Sequence, residues 1–192
     1  MIDLSEVAGP IRLFLSAGPY TRDGFLATQQ EELDLLKRED WEQSFGDRRI
    51  TAILCEHVWE HLTVEEGRIA AKICLDYLEP GGYVRCGVPD ALFPNEAYQR
   101  TVAVGGPGPA ADHKVVYDYK LLSEVFASAG FDVCLLEWWD EQGEFHEEDW
   151  DDEDGLIYRS RRFDSRNQGF DGTDTSQLGF TSLIVDAIKP QT

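Results

Sequence analysis

Residues 53–90 read ILCEHVWEHLTVEEGRIAAKICLDYLEPGGYVRCGVPD, and this stretch decides the fold. It begins inside an apolar run, 50–55 (ITAILC), with the length and composition of a buried strand. Thr63, with Glu66 three residues on, forms a capping-box signature that starts a helix. Ile69, Ala70, Ile73, Cys74, Tyr77 and Leu78 fall on one face at helical spacing, giving a helix over 63–78. Pro80-Gly81-Gly82 ends it, and 83–88 is a second strand stopped by Pro89. A strand, a helix and a strand with short joints make a βαβ crossover, so the two strands are parallel.

Working outward, 11–15 (IRLFL) is an apolar run bounded by the turn-rich SAGPYTRDG, which predicts a strand. Residues 25–28 form a short strand, and 31–38, with leucines at 33, 35 and 36, a helical turn. Trp41 and Phe45 precede the polar turn GDRR. Downstream, 91–111 is rich in glycine and proline and reads as an irregular insertion. A helix over 118–129 turns Leu121, Leu122, Val125 and Phe126 inward and closes at Gly130. Strands follow at 131–139 and 180–188.

This alternation predicts an α/β, Rossmann-like, mostly parallel sheet with helices on both faces. With no repeat and no linker, 1–192 reads as a single domain with insertions near 91–114 and 140–179. Ligands of such sheets bind outside the carboxyl ends of the strands, which directs attention to the loops after Leu15, Thr28, Cys55 and Val88.

The formal net charge of −20 disfavours nucleic acid and anionic lipid as partners. Part of that excess lies in 137–154, which holds acidic residues and no lysine or arginine. No apolar run reaches the roughly 20 residues of a membrane span. The opening residues lack the basic start of a signal peptide. Cys55, Cys74, Cys86 and Cys134 stand in apolar contexts without a CxxC pair, which predicts reduced, buried thiols, a cytoplasmic location and no thiolate zinc site.

The 53–90 block resembles the central part of class I S-adenosylmethionine-dependent methyltransferases, in a short, type 11-like form. That family carries a polar loop of the form HxLEHL, matched here by His57, Glu60, His61 and Leu62. A leucine-Pro-Gly-Gly turn follows, matched by 78–82, and then Pro89-Asp90. DHKVVYDYKLLSEVFASAGF is similar to the family's late helix. GFTSLIVDAIKP is similar to its terminal strand, which lies antiparallel beside the others. The resemblance implies S-adenosylmethionine as cofactor and methyl transfer to a small polar molecule.

The resemblance also implies cofactor contacts from Leu15, Ser16, Ala17, Gly18, Gln29, Asp34, Glu56 and His57. Ser16 stands where the family's glycine-rich turn begins, and suits that turn with a negative φ. Gln29 stands where an acidic residue usually binds the ribose hydroxyls. His57 and His113 are the candidate catalytic bases. The two insertions are expected to roof the pocket, making Tyr117, His146, Trp150, Arg161 and Arg162 candidate substrate contacts. The family reading assigns no metal.

Two alternatives stay open: a methyltransferase-like binding or scaffold module without catalysis, and a metal-binding protein. The second would use His57 and His61, one helical turn apart, with Glu56 or Glu60 adding oxygen. Homo-oligomerisation is a further open expectation.

Overall fold

Among the described residues seven strands make one sheet in the order β2-β1-β3-β4-β7-β5-β6. They are β1 (Ile11–Leu15), β2 (Leu26–Ala27), β3 (Ile50–Glu56), β4 (Leu78–Val88), β5 (Asp132–Trp139), β6 (Phe145–Glu147) and β7 (Leu183–Ile188). The computed structural model describes residues 2, 4, 7, 9–163 and 181–191. Phe180 and 164–179, expected in the last strand and the second insertion, lie outside the described residues.

Strands β2, β1, β3 and β4 are mutually parallel. β7 is antiparallel to both β4 and β5, so β5 runs with the parallel set, and β6 returns antiparallel from β5. The class is therefore α/β and Rossmann-like, with the terminal strand antiparallel as expected.

Among the described residues four α-helices accompany the sheet: α1 (Arg38–Phe45), α2 (Val64–Tyr77), α3 (Glu96–Val102) and α4 (Tyr119–Ala129). In α2, Thr63 accepts from Glu66 N while the Glu66 carboxylate accepts from Thr63 N, closing the capping box. Thr63→Ala is expected to cost about 1 kcal/mol in a urea titration, and an unchanged midpoint would refute the cap's contribution. In α4, Asp118 caps the start and Gly130, with φ of 110°, ends the helix in the left-handed region.

Sequence and structure part company in three places near these elements. The helical turn expected at 31–38 is a run of turns, with Glu32 N and Leu33 N on the Gln29 carbonyl. The helix begins only at Arg38, because Trp41 and Phe45, four apart, bury one face. The 91–111 insertion contains α3, capped by the Asn95 side chain. The insertion expected near 140–179 folds back as β6 on β5, pairing Trp138 with His146.

Helices α1, α2 and α4 all cover one sheet face, where Leu13, Ile53, Cys55, Val84, Cys86 and Val185 meet Trp41, Ala70, Cys74, Val125 and Phe126. On the opposite face, Phe14, Leu54, Leu136 and Ile184 are covered by Trp150 and Ile157. Helices on both faces were expected. Among the described residues the second face carries instead the segment 149–163, with one short 3-10 turn at Asp152–Asp154. Arg85, which points to that face from β4, anchors the segment. Its guanidinium grips both Asp186 carboxylate oxygens at 2.8 and 2.9 Å and donates to the carbonyls of Asp151 and Gly155.

Three cysteines are buried, and burial pushes the Cys55, Cys74 and Cys86 thiols well up. Cys134, also expected inside, is exposed. It lies early in β5, where Asp132 and Cys134 face water and full burial begins only at Leu136.

Candidate functional site

The chain leaves β1 toward β2 on one side and later enters β3 on the other, so the topological switch lies between β1 and β3. Crevices at such points hold ligands. The loops leaving these two strands contain the two non-glycine residues with positive φ among the described residues, Ser16 (48°) and His57 (57°). Side chains pay a steric penalty there of roughly 1–2 kcal/mol. Strain of this kind gathers where the backbone must be held in one shape. The negative φ that suited Ser16 to a glycine position is thus not what it adopts.

A cavity of about 950 Å³ opens at this point. Its floor is the β1 turn (Ser16, Ala17, Gly18) and the β3 loop (Glu56, His57, Glu60, His61). Its roof comes from the first insertion, through Val102, Pro109 and His113, and from Tyr158, Arg159 and Phe163 of the second. A Cβ at Gly18 would meet nothing within 4 Å, so the backbone there is open to a ligand's approach. Tyr20 and Tyr158, each half exposed with ring centroids 6.4 Å apart, stand among the lining residues.

Two buried carboxylates on the β3 loop have different surroundings. Glu56 pairs with Arg22 at 2.8 Å and accepts from the backbone N–H groups of Tyr158 and Arg159. This ties the β1 turn to the roof. Burial pushes the Arg22 guanidinium below its ordinary value, and Glu56 opposes that shift. Glu60 is 0% exposed, and neither of its side-chain oxygens has a hydrogen-bond partner. His57 Nδ1 lies 3.2 Å from Glu60 Oε1 without hydrogen-bond geometry. The other His57 nitrogen, Nε2, is 3.0 Å from Ser182 Oγ.

Two further acids fix the frame. Asp90, after β4, accepts from Leu92 N and from Trp139 N at the end of β5. Glu137 accepts from Trp150 Nε1 and from Arg161 N. Burial raises each to about 7, against the opposing effect of those bonds.

Of the residues singled out from sequence, Ser16, Ala17, Gly18, Glu56, His57 and His113 border the cavity, and so does His61. Leu15 is buried beneath it. Gln29 does not border it, because its amide donates to the Gly18 carbonyl at 2.9 Å and braces the turn from behind. Asp34 holds a turn, accepting from Leu36 N and pairing with Lys37.

None of the five proposed substrate contacts borders the cavity. Tyr117 is 0% exposed, in the core between α2 and α4. His146 stacks on Trp138 and bonds Asp140. Trp150 packs on Phe163 within the second core. Arg161 lies over Phe145, and Arg162 pairs with Asp149. Arg22, Tyr158 and Arg159 were missed: no periodicity or spacing marks them, since their roles depend on Glu56, 34 positions from Arg22 and more than 100 from Tyr158 and Arg159.

No protein-family model matches the sequence, and no curated protein does. Solved structures do. A SAM-dependent methyltransferase from Archaeoglobus fulgidus is similar at 13% identity, over 94% of this chain and 86% of that one, with a TM-score of 0.51. The S-adenosylmethionine-dependent methyltransferase SibL, in its apo form, is similar at 12% identity, over 94% of this chain and 43% of that one, with a TM-score of 0.52. An O-methyltransferase family protein from Burkholderia thailandensis matches at 13% identity over 58% of this chain, which spans 32% of that protein, with a TM-score of 0.43. With the parallel strands, the antiparallel β7 and the cavity at the switch point, the first two likenesses show that the chain has the class I S-adenosylmethionine-dependent methyltransferase fold.

Proposed function

We propose that the chain is an S-adenosylmethionine-dependent methyltransferase acting on a small polar molecule. The observation that carries this reading is the cavity at the β1–β3 switch, floored by the Ser16–Gly18 turn and His57. Its volume, about 950 Å³, suits a cofactor with a small acceptor beside it. The residues present fit the group in two ways: open backbone at Gly18, and aromatic faces at Tyr20 and Tyr158 for a base to stack on. The cofactor, when bound, supplies an electrophilic methyl group on a sulfonium.

The chain's part is to hold the acceptor in line and to take up its proton. The cavity walls do the first, and such positioning lowers barriers by roughly 7–11 kcal/mol at best. We assign the second to His57, which lines the cavity with its ring between Ser182 Oγ and Glu60.

Calorimetric titration with S-adenosylmethionine tests the reading; no heat at millimolar ligand would sink it in favour of a binding or scaffold module. His57→Ala is expected to leave the cofactor's Kd nearly unchanged and to lower kcat about 100-fold, the lower end for a positioned base. Loss of cofactor affinity in that variant would instead make His57 a structural support of the loop.

A further inference from the structure

We propose that Glu60, His61 and His113 form a binding site for a divalent transition metal of the zinc class in the wall of the cavity. One ligand-type atom from each of the three residues lies within 4.8 Å of the others. Tetrahedral bonds of roughly 2.1 Å put donors about 3.4 Å apart, so rotation of the side chains closes the trio.

The donors are prepared for such a role. The Glu60 carboxylate is fully buried and without a hydrogen bond, and removing a charged oxygen from water in that state is costly. A bound cation offsets this cost. His61 Nδ1 is likewise buried without a hydrogen bond, with Asp112 Oδ1 at 3.1 Å off its line. His113 is 8% exposed, and its Nδ1 lies 2.9 Å from the Val102 carbonyl, which can only accept. That bond fixes the proton on Nδ1 and leaves Nε2 with its lone pair free, the usual arrangement of a metal-ligating histidine.

The backbone brings the parts together. Lys114 N and Val115 N both donate to the Glu60 carbonyl, at 2.8 and 3.3 Å, which seats His113 against the Glu60–His61 turn. The His61 and His113 rings meet edge to face with centroids 4.9 Å apart.

Two imidazoles and one carboxylate form the donor set of zinc-class sites that keep an open position, whereas magnesium and calcium take all-oxygen sets. The open position here faces the cavity, which all three residues line. His57, expected from sequence spacing as a ligand beside His61, is not in this trio, and His113 takes that place.

Metal binding is tested without the cofactor, so its outcome does not depend on the methyl-transfer reading. The chain, purified without a histidine tag, is stripped with chelator and titrated with Zn²⁺ by calorimetry and with Co²⁺ by visible absorption. One metal per chain is expected, with the ligand-field bands of a four- or five-coordinate nitrogen–oxygen site. His113→Ala and His61→Ala should each weaken binding at least about 100-fold, the upper end for loss of even an outer-shell partner. His146→Ala, which breaks the separate Asp140–Glu144–His146 cluster, should leave it unchanged. Circular dichroism checks that each variant folds. His61, the more exposed ligand, gives the decisive variant if His113→Ala does not fold. Absence of stoichiometric binding, or binding lost in His146→Ala and kept in His61→Ala, overturns the proposal.

Discussion

Replacing Arg85 with alanine is expected to lower the unfolding free energy by about 3–5 kcal/mol, the range for breaking one side of a buried ion pair. Arg85 is 3% exposed, and its guanidinium serves three partners at once: Asp186 on β7 and the carbonyls of Asp151 and Gly155. Removing it leaves a partly buried carboxylate and two carbonyls without their donor. Its guanidinium also lies over the Trp150 ring, 4.9 Å from guanidinium carbon to centroid. Urea unfolding of both proteins measures the difference, and limited proteolysis should cut the variant first within 149–157. A loss under about 1 kcal/mol would mean that the apolar contacts of Trp150 and Ile157 hold the segment without it.

Raising the pH from 5 to 7 is expected to destabilise the fold by about 4 kcal/mol, close to 2 kcal/mol each from Asp90 and Glu137. Both are carboxyl groups whose folded-state value is raised to about 7, mainly by burial, from 3.8 and 4.5 respectively. Between the unfolded and folded values the native state binds more protons than the unfolded chain. Their contribution is therefore full below the unfolded values and is lost as pH rises through 7. Most proteins with paired surface acids respond in the opposite sense at lower pH. Here the acids held low, such as Glu66 and Asp140, act only below the ordinary carboxylate range. Unfolding free energies at pH 5, 6 and 7 test the slope; stability constant or rising over that span would show that Asp90 and Glu137 ionise normally in the fold.

The legible parts of this molecule were those where local chemistry and tertiary packing agree. Thr63 and Glu66 cap α2 through bonds between neighbours, and Gly130 ends α4 through its own φ, so both read directly from residue order. The helix α1 was not legible, because REDWEQSF is polar but for Trp41 and Phe45, and only their burial against Tyr77 makes it fold. Of the site, the loops were legible from the strand order, and with them His57 and His113. The roof was located only as to segment. Its acids, arginines and aromatics all looked alike in sequence, and which of them face the cavity depends on Glu56, to which Tyr158 and Arg159 bond from a distance of about 100 residues. Trp150 and Arg162, equally prominent in composition, turn away to cover the sheet and to meet Asp149.

The place of β7 in the sheet bears on how the protein is made. Among the seven strands it is the last to be synthesised, yet it lies between β4 and β5 and pairs with both. Until residues 183–188 leave the ribosome, the parallel set ends in an open β4 edge and the β5–β6 hairpin has nothing to join. Unpaired edges of that kind invite pairing with other chains. Arg85 would meanwhile wait for Asp186, its partner from that same strand. The nascent chain thus carries two unpaired strand edges until these six residues arrive to close its sheet.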